Sequence, residues 1–206
     1  MRLIPVACLG LLACAQPPRV GESVIREALL AQWQGPGGCL DLDRVRPLAV
    51  PFFANVRFYE ARCLLEHGDT AVATIAVDDA LVYVLDNRSS YQLLVDRHPA
   101  TGVDSVSAVT FAALVARFTG KLMLPAQIAN SIADLPDSLQ HVIRAAGWEL
   151  TRPGPTDVDD RKRVRRVAFT AFDQWAVLVY DVILSPKGEG TVMVDTVWTE
   201  DGGVRR

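Results

Sequence analysis

Residues 56–95 read VRFYEARCLLEHGDTAVATIAVDDALVYVLDNRSSYQLLV, and their punctuation decides the fold. Phe58, Tyr59, Val72, Thr74 and Ile75 belong to runs in which β-branched and aromatic residues alternate with polar ones, and turn formers recur at short intervals. The pattern predicts strands over residues 56–65, 70–77, 81–85 and 91–95, with turns at His67-Gly68-Asp69, Asp78-Asp79 and Asn87-Arg88-Ser89. Connections this short join antiparallel neighbours, so the segment predicts a meander.

Upstream, Val24, Ile25, Ala28, Leu29 and Trp33 recur at helical spacing and predict a helix over residues 22–34, stopped by Gly35-Pro36. The loop Gly35-Pro36-Gly37-Gly38 lacks the Lys-Ser/Thr of a phosphate cradle. Downstream, Asp104 or Ser105 caps a helix running to Thr119, with Gly120 as its stop. Val106, Val109, Phe111, Ala112, Leu114, Val115 and Phe118 make that helix apolar on most sides, which predicts a central, buried position. Two more helices are expected over residues 125–133 and 136–146, each with Pro near its first turn and the second ended by Gly147. Residues 151–160, rich in Pro and Asp, predict a loop or linker. Strands over residues 165–172, 175–184 and 191–198 follow, the last two joined through Pro186-Lys187-Gly188-Glu189-Gly190, and the tail 201–206 is expected to fray. Helix, strands, helices, strands without βαβ alternation means α+β, an antiparallel sheet of meander strands packed against several helices. The layout is similar to a cystatin-like or nuclear-transport-factor-like cone, in which a curved antiparallel sheet wraps a helix.

Of the 206 residues 50% are hydrophobic and 22% charged, the composition of a globular chain. A net charge of −3 gives no bias toward nucleic acid, and no aromatic platform interleaves with the basic residues. A single domain over residues 14–206 is expected.

The N-terminus carries a different signal. Arg2 is a minimal positive region, and residues 3–12 are apolar apart from Pro5 and Gly10. The run falls short of the roughly 20 residues of a membrane span but suits the core of a secretory signal, about 7–15 residues long. Leu11-Leu12-Ala13-Cys14 resembles the lipobox of bacterial prolipoproteins. That resemblance implies a signal peptide over residues 1–13, lipid attachment at Cys14 with palmitate among its acyl chains, and a membrane partner reached through the anchor. Ala15, rather than Asp, then implies the outer membrane. Ala13-Cys14-Ala15 also reads as an A-x-A cleavage site, which would release a periplasmic or secreted protein instead.

Cys39 and Cys63 remain beyond the signal, and in an oxidising compartment an even pair predicts a disulfide. Closing that loop of about 25 residues would contribute roughly 3–4 kcal/mol. The competing reading is two buried, reduced cysteines packing as small apolar groups. No Cys-x-x-Cys motif supports thiol redox chemistry or structural zinc.

Catalytic signals are sparse. His67 lies in a Glu66-His67-Gly68-Asp69 turn, His98 follows a predicted strand close to Asp96, and His141 lies three positions after Ser138 on a predicted helix. No Gly-x-Ser-x-Gly or Ser-x-x-Lys accompanies them. Asp157, Asp159 and Asp160 begin like a calcium loop, but Arg161, Lys162 and Ala168 occupy positions that need a ligand, a glycine and a glutamate. Asn87-Arg88-Ser89 is a formal glycosylation sequon of little force in a bacterial lipoprotein. The densest charge run, Arg161, Lys162, Arg163, Arg165 and Arg166, suits an anionic partner such as lipid phosphates, or a strand entry whose charges the preceding aspartates offset. Trp148, Trp175 and Trp198 could line a cleft or pack a core.

The sequence thus leads to a noncatalytic, lipid-anchored envelope protein that binds another envelope protein or a small apolar ligand, with no cofactor, metal or nucleic acid. The alternatives are a periplasmic hydrolase with a dispersed active site and a structural subunit of an envelope assembly.

Overall fold

The computed structural model describes residues 21–32, 41–64, 70–122, 126–159, 161, 163–173, 175–200 and 203–204. Strands β2 (Arg57–Leu64), β3 (Thr70–Val77) and β4 (Val82–Leu85) are the first three of the expected meander and pair antiparallel in that order. A strand without a clear sequence signal, β1 (Asp41–Leu48), joins at the edge beside β2. Its sequence DLDRVRPL is charged and carries Pro47, features that an edge tolerates and a central strand does not.

The expected fourth strand is a helix. Residues 91–95 lie inside α2 (Arg88–Arg97), which starts where the Asn87 side chain accepts the Ser90 N–H at 3.0 Å. A strand would place Tyr91, Leu93 and Val95 on one face. The helix instead buries Tyr91, Leu94 and Val95, at spacings of three and four, and leaves Leu93 61% exposed. The first helix, α1 (Glu22–Gln32), and the central helix, α3 (Ala108–Phe118), lie where they are expected.

The second sheet has six strands: β5 (Gln127–Ala129), β6 (Gly154–Val158), β7 (Val164–Phe172), β8 (Ala176–Leu184), β9 (Gly190–Thr199) and β10 (Gly203–Val204). Its order is β10-β9-β8-β7-β5, and β6 and β5 share one edge of β7, pairing with residues 164–168 and 170–172 respectively. Three expectations are corrected. In place of a helix over 125–133, β5 leads into a 3-10 turn at Ile132–Asp134, where the Asp134 carboxylate accepts the N–H groups of Asn130 and Ser131 and closes a tight polar turn. The linker at 151–160 contains β6, a bulged strand that accommodates Pro155 at an irregular register. The tail is partly ordered by the pairing of β10 with β9. The remaining helix, α4 (Asp137–Ala145), agrees with its expectation.

Period-two alternation explains how these elements stack. One face of the first sheet presents Phe58, Ala76, Tyr83 and Leu85 to α2 and α3, while the other presents Ala61, Ala73, Ile75 and Val84 to Ile25 and Leu29 of α1. Across the helix layer, Val167, Phe169, Ala171, Tyr180 and Val182 close the same central core from the second sheet. That sheet's far face holds Phe172, Val177 and Val197 against Leu139 and Ile143 of α4. The result is α+β in five layers: helix, sheet, helix pair, sheet, helix. A single sheet wrapped around a helix is therefore not the arrangement, because each face of the helix pair has its own sheet.

Gly120 ends α3 with φ +69°, and a Cβ there would lie 2.2 Å from the backbone oxygen of Asp86. Gly120→Ala is expected to lower stability by about 2–3 kcal/mol, through left-handed strain and displacement of the β4–α2 connection. Chemical denaturation measures it, and a loss under about 0.5 kcal/mol, the scale of ordinary surface changes, would show that the connection yields freely.

Candidate functional site

Cys14, Cys39, His67 and Lys162 lie outside the described residues. Cys63 is fully buried and disulfide-bonded. Among the described residues, no helix is long and apolar enough to cross a membrane, and no cluster of metal-ligating side chains occurs.

The basic run is held by carboxylates. Arg163 Nε lies 2.7 Å and Arg165 Nη2 3.5 Å from Asp159 Oδ2, and Arg166 pairs across strands with Asp181 at 2.8 Å through Nε. Asp159 also accepts the backbone N–H groups of Arg161 and Arg163, and the hydrogen bond from Arg163 leads the effects that lower its pKa. Arg161 is exposed at the turn. Of the preceding aspartates expected to offset the run, Asp159 does so, and Asp181 of the neighbouring strand adds a carboxylate that the sequence reading did not anticipate. Trp148 and Trp198 pack in the α4 core, and Trp175 is 59% exposed.

His98 has a carboxylate partner that its neighbours in sequence do not suggest. Asp96 takes up the Gln92 amide at 3.0 Å, whereas His98 Nε2 lies 2.8 Å from Asp78 Oδ2. Asp78 occupies the β3–β4 turn with its side chain only 4% exposed. Its Oδ1 accepts the N–H groups of Ala80 and Leu81 at 2.7 and 2.6 Å, and its Oδ2 accepts the Tyr83 hydroxyl at 2.9 Å. Arg97 Nε lies 3.4 Å from the same oxygen. Burial works to raise the Asp78 pKa, but the bonds to His98, the two backbone N–H groups and Tyr83 outweigh it and hold the carboxyl well below its usual range. Burial and Asp78 together push the Tyr83 hydroxyl up to about 12, so it serves as a donor rather than a nucleophile. Ser138 and His141 are both exposed on α4. The cluster is a clasp that fastens the β3–β4 turn to the C-terminal end of α2.

Asp78→Asn is expected to lose about 2–3 kcal/mol, because the amide places a donor where Oδ2 accepted several. A folded carboxyl pKa below the unfolded one stabilises above the ordinary value of about 4, and that contribution disappears as pH falls through the lower folded pKa. Wild type and variant should therefore differ fully at neutral pH and begin to converge only as pH falls below about 4, toward the lowered folded pKa. A difference in melting temperature that ignores pH would refute the clasp.

A second buried carboxylate was not singled out in the sequence. Glu60, on the inner face of β2, bonds Arg46 of β1 through Oε1 and the Nη2 of Arg117 on α3 through Oε2, the latter at 2.9 Å. The Glu60 and Arg117 side chains are 7% and 13% exposed. Burial works to raise the Glu60 pKa, but Arg117 and Arg46 outweigh it and hold it below its usual value. The available signal was Arg117 itself, the one charged residue in AVTFAALVARF.

Arg117 also lines a groove of about 320 Å³ between the inner face of the first sheet and the C-terminal end of α3. Thr70, Val72, Thr74, Leu85 and Asp86 contribute from the sheet side, and Gly120 and Leu122 from beyond the helix. The Arg117 Nε–H is buried without a hydrogen-bond partner. A smaller cavity of about 190 Å³ borders the basic run, where Asp159 already holds both Arg163 and Arg165.

Comparison with protein-family models, with curated proteins and with solved structures gave no match. The chain's class rests on its geometry: a five-layer α+β body with an open, largely apolar groove and a cation in its wall.

Proposed function

We propose that this chain is a noncatalytic, lipid-anchored protein of the bacterial cell envelope, held at the outer membrane through Cys14, whose α+β domain binds a small apolar ligand or another envelope component. The observation that carries this reading is the order of Arg2, the apolar run over residues 3–12, and Leu11-Leu12-Ala13-Cys14-Ala15. A multiply acylated cysteine anchors stably where one chain binds only marginally. The groove beside α3 supports a binding role. The Asp78–His98 pair gives little support to a hydrolase using His67, His98 or Asp96, because Asp78 is committed to the turn and Asp96 to Gln92. The oxidised state of Cys63 supports pairing with Cys39, which belongs to the same proposal.

Growth with a clickable fatty acid tests the anchor. Wild type should take up label and Cys14→Ser should not, while absence of label from both would overturn the proposal. Nonreducing mass spectrometry tests the pairing, and free thiols on both Cys39 and Cys63 would refute it.

A further inference from the structure

We infer that the groove between the first sheet and the end of α3 is a binding site for an aliphatic monocarboxylate, with Arg117 holding the carboxylate. The inference names the ligand class for the binding role proposed above and rests on that role, but not on the anchor. The groove's volume of about 320 Å³ lies at the small end of ligand pockets, which run from roughly 300 to 1,000 Å³. Val72, Leu85 and Leu122 give it apolar walls, suited to a short alkyl chain. Val72 is 36% exposed and Leu64, on the same sheet face one strand away, is 41% exposed, so apolar surface continues past the helix end.

Charge selects the head group. Arg117 is the sole cation among the described residues that line the groove. Glu60 is shared between Arg117 and Arg46, so that buried trio carries one surplus positive charge. Glu60 engages Arg117 through Nη2, and the Nε–H is buried without a partner, so this single carboxylate does not satisfy the fork's five donors. A carboxylate satisfies such a fork in a bidentate manner that a hydroxyl cannot reproduce. Asp86 lines the same groove and is exposed, so a second negative charge on the ligand would be repelled. One acidic head and a short apolar body are what the walls accept.

The test is calorimetric titration of the full chain, as its Cys14→Ser form free of acyl chains, with hexanoate, 1-hexanol and adipate. Hexanoate should bind saturably, and the neutral alcohol and the dicarboxylate at least about tenfold more weakly. Arg117→Gln should lose about tenfold for hexanoate and Arg117→Lys less, while Asp86→Asn should narrow the gap between adipate and hexanoate. Arg117 also partners Glu60, so Val72→Glu provides a variant at a partly exposed position, expected to abolish hexanoate binding with its melting temperature kept. Equal binding of hexanoate and 1-hexanol would overturn the carboxylate assignment while leaving a binding groove. Failure of all three ligands to saturate at millimolar concentration would overturn the groove as a site, with the anchor still judged by its own labelling experiment.

Discussion

Glu60→Ala is expected to lower the free energy of unfolding by about 3–5 kcal/mol, because it strands Arg117 in the interior without its carboxylate. The side chains involved are 7% and 13% exposed, so neither bulk water nor salt screens the loss fully. Arg46, 55% exposed, can turn to solvent and adds little. The pair need not be stabilising relative to an apolar one. Glu60→Leu combined with Arg117→Met should recover most of the loss, since both charges are removed and the volumes are roughly kept. Because the folded Glu60 pKa is lowered, its ionic contribution is present above the ordinary value of about 4.3 and fades as pH falls through the lower folded value. Denaturant unfolding of wild type, single and double variants at two pH values measures all of this. A single-variant loss under about 1 kcal/mol would place Glu60 with ordinary surface charges.

Phe118→Ala should cost a comparable 3–5 kcal/mol by a different route, the loss of buried area together with a cavity that rigid neighbours cannot fill. Phe118 is fully buried, stacks on Phe58 of the first sheet at 5.5 Å and 10°, and meets Tyr91 of α2 at 5.9 Å. One ring therefore touches the sheet and both central helices. Phe118→Leu should lose roughly half as much, since leucine retains part of the volume but not the stacked geometry. Thermal and denaturant melts separate the two variants, and near-equal losses would mean that ring geometry contributes nothing.

The strands with clean period-two patterning were legible in the sequence, as was α3, whose apolar residues surround it because sheets cover it on both sides. The errors lie where pattern and geometry separate. Tyr91, Leu93 and Val95 alternate as in a strand, yet the Asn87 cap and the buried set Tyr91, Leu94 and Val95 make a helix. Asp41–Leu48 and Gly154–Val158 carry prolines and charges that single-sequence reading takes for loop, because an edge strand needs pairing on one side only. The Asp78–His98 and Glu60–Arg117 contacts join residues 20 and 57 positions apart, and no local spacing rule reaches that far. Arg117 was visible as a lone charge in an apolar helix, but its partner follows only from the stacking of layers.

That stacking largely follows the order of the chain, since α1, the first sheet, the central helices and the second sheet succeed one another both in sequence and in space. For a polypeptide synthesised N-terminus first, each slab becomes available before the slab that covers it. The inner faces of α2 and α3 then stay bare until β7 and β8 arrive. The chain's last fifth is thus the lid of its central core, and the uncovered interval before it arrives is when Phe111, Val115 and their neighbours are most open to aggregation or to a chaperone.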